Sequence, residues 1–228
     1  MDITFIILMF VAGLNVGLAL VVLLRNYRDK INISLALSIL SLGLWTMGEA
    51  IFDVSSNFQE AFFWARFENT FGSLVVISFF FFALFFPYQH RKLNSFEKFL
   101  IAISLIILFP LLWSKWHVED VILNRGDNDF SLNIVGITYY ALYFIIYLLI
   151  SFYWLMRKYI KSVGVFKRNL ITVIFGTGSI AMFGTIFGIF IPLLFGRDNP
   201  WYVPLFSIPM VFILTFFVLF GHKELKIN

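Results

Sequence analysis

The 228-residue chain has no cysteine, three histidines, and charge on only 13% of its residues. Without cysteine there can be no disulfide, iron–sulfur cluster or thiolate metal site. The histidines, His90, His117 and His222, stand far apart, and none belongs to an HExxH or paired His–Glu motif. Neither a Gly-x-Ser-x-Gly elbow nor a Walker-type phosphate loop occurs. A retinal Schiff base needs a lysine within the last helix, and none lies between Trp201 and Gly221. The expectation is a chain with no catalytic residues, no metal and no cofactor, and not an enzyme. Scarce charge excludes more. A soluble domain carries charge on about a quarter of its residues, whereas here 61% are hydrophobic, 31 are phenylalanine and mean hydropathy is +0.90. A water-soluble globule, a disordered chain and a coiled coil are all ruled out.

What the chain has instead is long apolar runs. Seven are long enough to cross roughly 30 Å of hydrocarbon at about 1.5 Å per residue: Ile3–Leu24, Asn32–Val54, Phe62–Phe86, Phe96–Ser114, Ile134–Met156, Leu170–Phe195 and Trp201–Phe220. The fourth is the shortest and contains Pro110. The first lacks a basic leading region and is followed by basic residues, so it reads as a retained helix and not as a signal peptide. The predicted fold is all-α: a polytopic seven-transmembrane helix bundle over residues 1–222 with a short cytoplasmic tail, 223–228.

Orientation follows from the loops. With the N-terminus outside, thirteen of the 17 Lys and Arg fall on the cytoplasmic side, three fall outside, and Arg66 lies within the third span. The net charge of +4 is then explained by topology and anionic inner-leaflet lipid, with no nucleic-acid partner required. The connection Lys115–Asn133 is the long one. Its acidic residues and its Arg125-Gly126-Asp127-Asn128 turn suit a small hairpin or surface helix over the outer end of the bundle.

Charges at membrane depth are costly and mark function or structure. Glu49, Asp53, Arg66 and Glu68 lie in the outer parts of the second and third spans. At helical spacing Ser38, Ser41, Trp45, Glu49 and Asp53 share an arc of about 120°. Arg66, Asn69, Thr70 and Ser73 share a face of the next helix, with Glu68 turned away toward another neighbour or the headgroups. The two stripes can meet and pair Arg66 with Glu49 or Asp53. Three readings stay open: a structural ion pair fixing helix register; an outward-open ligand pocket formed by Trp45, Glu49, Asp53, Arg66 and Asn69; or part of an ion relay. Tyr139, Tyr140, Tyr143 and Tyr147 form a stripe on the fifth span, as packing or, for Tyr139 and Tyr143, as pocket walls. Gly13-xxx-Gly17 and Gly184-xxx-Gly188 are small-xxx-small motifs for close helix contact.

The order of features also carries a resemblance. A basic turn leads to Asn32 and a helix with Trp45; then come Trp64-Ala65-Arg66-Phe67, a phenylalanine-rich helix ending Phe85-Phe86-Pro87, a polar outer loop, and a basic stretch ending Lys167-Arg168-Asn169. This resembles the N-terminal seven-transmembrane sensor region of bacterial histidine kinases. The resemblance implies a bacterial plasma-membrane sensor input module, usually followed on the cytoplasmic side by kinase, cyclase or similar domains; with the polar cluster, the expectation is a sensor that binds a small ligand outside. This sequence ends at Lys226-Ile227-Asn228, so the expected partners are the lipid bilayer, a separate cytoplasmic kinase or other signalling protein, and a second copy in a homodimer. A small transporter or channel, or a structural membrane subunit, is the alternative.

Overall fold

The computed structural model describes residues 3–88, 92–124 and 128–186, together with Leu205, Ile208, Val211, Phe212 and Thr215. Among the described residues six helices and one hairpin follow in order: α1 (Ile3–Arg25), α2 (Lys30–Val54), α3 (Phe58–Phe85), α4 (Ser95–Leu112), β1 (Val118–Ile122), β2 (Asp129–Leu132), α5 (Ile134–Lys161) and α6 (Gly164–Thr185). Among the described residues α1 to α5 are long and apolar enough to cross a membrane. The seventh expected span, apart from the five positions named, and the end of the sixth lie outside the described residues, as do Gly188 and the Arg125-Gly126-Asp127 turn.

Helix starts follow local capping chemistry. Asp29, Asn57, Asn94 and Asn133 each accept from a backbone N–H in the first turn, satisfying a donor that the helix leaves free. Asn57 is why α3 begins four residues before the apolar run at Phe62 does. At Asn94 the bond is reciprocal, Glu97 accepting from the Asn94 N–H in a capping box. The α5 helix runs on to Lys161, past the expected end at Met156, and α6 starts at Gly164, six residues before Leu170.

The core divides by depth. Away from the hairpin, Val22, Leu35, Ile39, Phe79, Phe82 and Leu155 pack together with Leu170, Val173 and Val211. A second cluster joins α3 to α4 and α5 through Phe80, Leu108, Leu112, Tyr143, Tyr147 and Trp154. A third, Phe52, Ala61, Ala65, Val118 and Val121, seats the hairpin on α2 and α3. The α1–α2 contact does not use Gly13 and Gly17, which are exposed. The glycine of that contact is Gly43, where an added Cβ would lie 3.1 Å from the Ala12 carbonyl oxygen.

The long connection resolves the hairpin-or-helix alternative. β1 and β2 pair antiparallel with Val121 opposite Phe130 and an irregularity between Val118 and Asp120, the one departure from an all-helical chain among the described residues. Asn128 ties it down. Its amide donates to the carbonyls of Phe52 and Ser55, both at 2.7 Å, while its Oδ1 accepts from the Asn124 N–H. One side chain thus satisfies carbonyls at the α2 C-terminus and holds the hairpin over it.

Candidate functional site

The site lies beneath that hairpin, between α2 and α3, the most extensively packed pair of elements among the described residues. They close because α3 presents small residues to α2: Ala61 and Ala65, on the helical face that also carries Glu68, cluster with Phe52 of α2. From α2 comes Gly48. An added Cβ there would sit 3.0 Å from a Phe67 ring carbon and 3.1 Å from the Glu68 Cβ. Glu49 follows Gly48, so Glu49 and Glu68 enter the same seam, each only 2% exposed. Both Glu49 carboxyl oxygens and Glu68 Oε2 are buried without a hydrogen-bond partner. Asp53, one turn above Glu49 toward the hairpin and half-buried, is in electrostatic reach of both. The Tyr140 hydroxyl of α5 reaches this seam too, 2.6 Å from where a Gly72 Cβ would be and close enough to Glu68 to feel its charge.

Arg66 does not pair with Glu49. Its guanidinium lies over the Phe62 ring at 4.1 Å, and its buried Nε has no hydrogen-bond partner. The reason is rotational. The face carrying Ala65 and Glu68 is drawn against α2 by its small residues, which turns Arg66 toward the hairpin. There it lies near His117, fully buried in the turn before β1 with neither ring nitrogen in a well-formed hydrogen bond. Burial holds the His117 imidazole down at about 4 from its ordinary 6.5, against the pull of the Gly136 backbone and with the Arg66 charge adding to the shift. The Tyr140 ring, 5.4 Å from that of His117, spans the distance between the imidazole and the acidic seam.

The remaining expected residues are placed differently. Trp45 is half-buried and packs against the deep apolar cluster. The Asn69 amide donates to the Ala65 carbonyl of its own helix at 2.7 Å. Tyr139 and Tyr143 are not under the hairpin with Glu49. They line a separate groove of about 420 Å³ between α4 and α5, with Phe80, Ile101, Ser104 and Trp154. Sequence reasoning passed over Glu68, Tyr140 and His117 as members of the site. The signal for Glu68 was there: it falls on the helical face of Ala61, Ala65 and Gly72, and small residues mark where helices meet.

In this geometry two acids share a sealed seam, a cation and an imidazole sit beside it, and a hairpin closes the top. Among the described residues no group of three or more His, Cys, Asp or Glu is placed to hold a metal. The model of the family described as the N-terminal 7TM region of histidine kinase matches residues 7–227. The chain belongs to that family. Neither a curated protein nor a solved structure matches it. As an N-terminal 7TM region of histidine kinase it is a membrane protein of signal transduction, and its helical bundle is a sensor input module.

Proposed function

We propose that the chain reads a small stimulus at the hairpin side of a bacterial plasma membrane and passes it to a cytoplasmic signalling partner of the kinase type. In this reading the N-terminus and hairpin are outside and the C-terminus inside, as the distribution of Lys and Arg favours. The observation that carries the reading is the acidic pair. Glu49 and Glu68 are buried together without hydrogen bonds to three of their oxygens. Such an arrangement costs stability and has no packing benefit that two apolar residues would not supply better. Asp53 lies within electrostatic reach of the pair. A stimulus that changes the charge of the seam favours one α2–α3 packing over another through its differential affinity for the two. Below the seam the apolar cluster of Ile39, Phe79, Phe82 and Leu155 lies across the direction a transported solute would take, so no observation favours transport.

The test is a fusion of the chain to the cytoplasmic catalytic part of a histidine kinase, reconstituted in oriented liposomes. Autophosphorylation is measured as the outer medium is stepped in pH. The wild-type fusion is expected to respond, and E49Q and R66A to lose the response while inserting normally. A response kept in full by both variants removes this cluster from the sensing path.

A further inference from the structure

The acidic seam itself defines what binds there. Two ionised carboxylates in a low-dielectric seam repel strongly, and an isolated buried charge is matched by a partner cation, a metal, an organic cation or a proton. Among the described residues the charged and titratable groups facing the pair are few. On α2 there is Asp53, itself acidic; on α3 there is Arg66, turned onto Phe62; on α5 there is Tyr140; and in the turn before β1 there is His117 beyond Tyr140. No side-chain cation bonds to Glu49, both of whose oxygens lack a partner. A bound metal needs several converging oxygens or nitrogens, and among the described residues no group of three or more His, Cys, Asp or Glu is placed to supply them. An organic cation has no room. Gly48 packs so closely that one methyl group would lie 3.1 Å from the Glu68 Cβ, and the unpartnered oxygens are closed off from solvent.

The cation that fits without space or extra ligands is the smallest. We propose that Glu49 and Glu68 form a buried proton-binding site, one proton held between the two carboxyl groups and exchanged with the medium on the hairpin side. Loading converts glutamate and hydronium into glutamic acid and water; release is the reverse, and no other reactant is needed. Asp53 gives the proton its way in, because it is half-buried at the end of α2 where the hairpin is bonded. With the proton present a hydrogen bond joins α2 to α3. Without it two like charges push them apart. The consequence for signalling rests on the sensor reading above, whereas the proton site does not.

The two are therefore tested apart. Infrared spectroscopy of the full chain in lipid nanodiscs reads the carbonyl stretch of protonated carboxyl groups directly, with E49Q and E68Q as neutral, near-isosteric variants. The expected result is a protonated-carboxyl band at neutral pH that shifts on transfer to D₂O, weakens in each variant and disappears in the double variant. Glutamine preserves volume, and a melting curve of each variant shows that it is folded. A band missing from the folded wild type, or unchanged in the folded double variant, overturns the proposal. So does a melting temperature that follows sodium against choline at constant pH, which would assign the seam to an alkali cation. A silent kinase fusion alongside the expected band would refute only the sensor reading.

Discussion

Lys158 donates from a fully buried ammonium to the carbonyls of Ala83, Leu84 and Phe86 at 2.9, 2.7 and 2.7 Å. These are carbonyls of the last turn of α3 and the residue just past it, with no partner further along the helix, and a cation is favoured at that end of the dipole. In the sequence Lys158 counts only as one more basic residue of a cytoplasmic loop, because charge and position say nothing about where α5 ends. The structure extends α5 past it and turns the lysine inward against α3. K158M keeps the stem but leaves the carbonyls unbonded. It is expected to lower unfolding stability by about 3 kcal/mol, the range of hydrogen bonds to a charged group, as measured by denaturant unfolding in nanodiscs. An unchanged stability would show that water replaces the ammonium at no cost. Glu68 teaches a related lesson. Its angular offset from Arg66 was legible, but which of the two residues faces α2 depends on where the helices can close, and that is set by Ala61 and Ala65 of α3 and Gly48 of α2.

At the scale of elements, the α2–α3 pair and the hairpin set the site. Replacing Gly48 with leucine forces a side chain between Phe67 and Glu68. G48L is expected to cost about 1–3 kcal/mol as overpacking and to spread the acidic seam, read as faster hydrogen exchange in α2 and α3. The hairpin has its own sensitivity to acid. Because burial depresses the folded His117 pKa to about 4, the open form binds more protons between about pH 6.5 and 4. Closure is fully stabilised above 6.5 and weakens as pH falls through that window, by roughly 3 kcal/mol at its lower end. Proteolysis at the hairpin should therefore accelerate between those values in the wild type and show no such rise in H117Q; equal acid sensitivity in both would place the effect elsewhere. The sequence suggested a hairpin through the Arg125-Gly126-Asp127-Asn128 turn, but not its seat. Asn128 bonds to carbonyls more than 70 residues earlier in the chain, a contact that no local pattern encodes. Helix existence and approximate span were legible because hydropathy alone dictates them in a bilayer. Helix ends were less so, since Asn57 and the reach of α5 depend on single residues.

Across the whole molecule, the acidic seam and the Lys158 clamp lie toward opposite ends of α3, and α2 and α3 are packed together along the length between them. A change of charge at Glu49 and Glu68 that alters the α2–α3 contact therefore reaches the far ends of both helices, where α3 is bonded to α5. In the proposed reading that movement is passed to a signalling partner on the cytoplasmic side. The cysteine-free background lets spin labels be placed at will: one in the α1–α2 turn at exposed Tyr27 and one at the exposed end of α5 at Lys161. The most direct measurement is the Tyr27→Cys to Lys161→Cys distance distribution by pulsed electron resonance in nanodiscs, as pH is raised from neutral. The account predicts two populations whose balance shifts with pH in the wild type and is fixed in the E49Q/E68Q double variant. A distribution that does not respond in the wild type, or that shifts equally in the double variant, would contradict it.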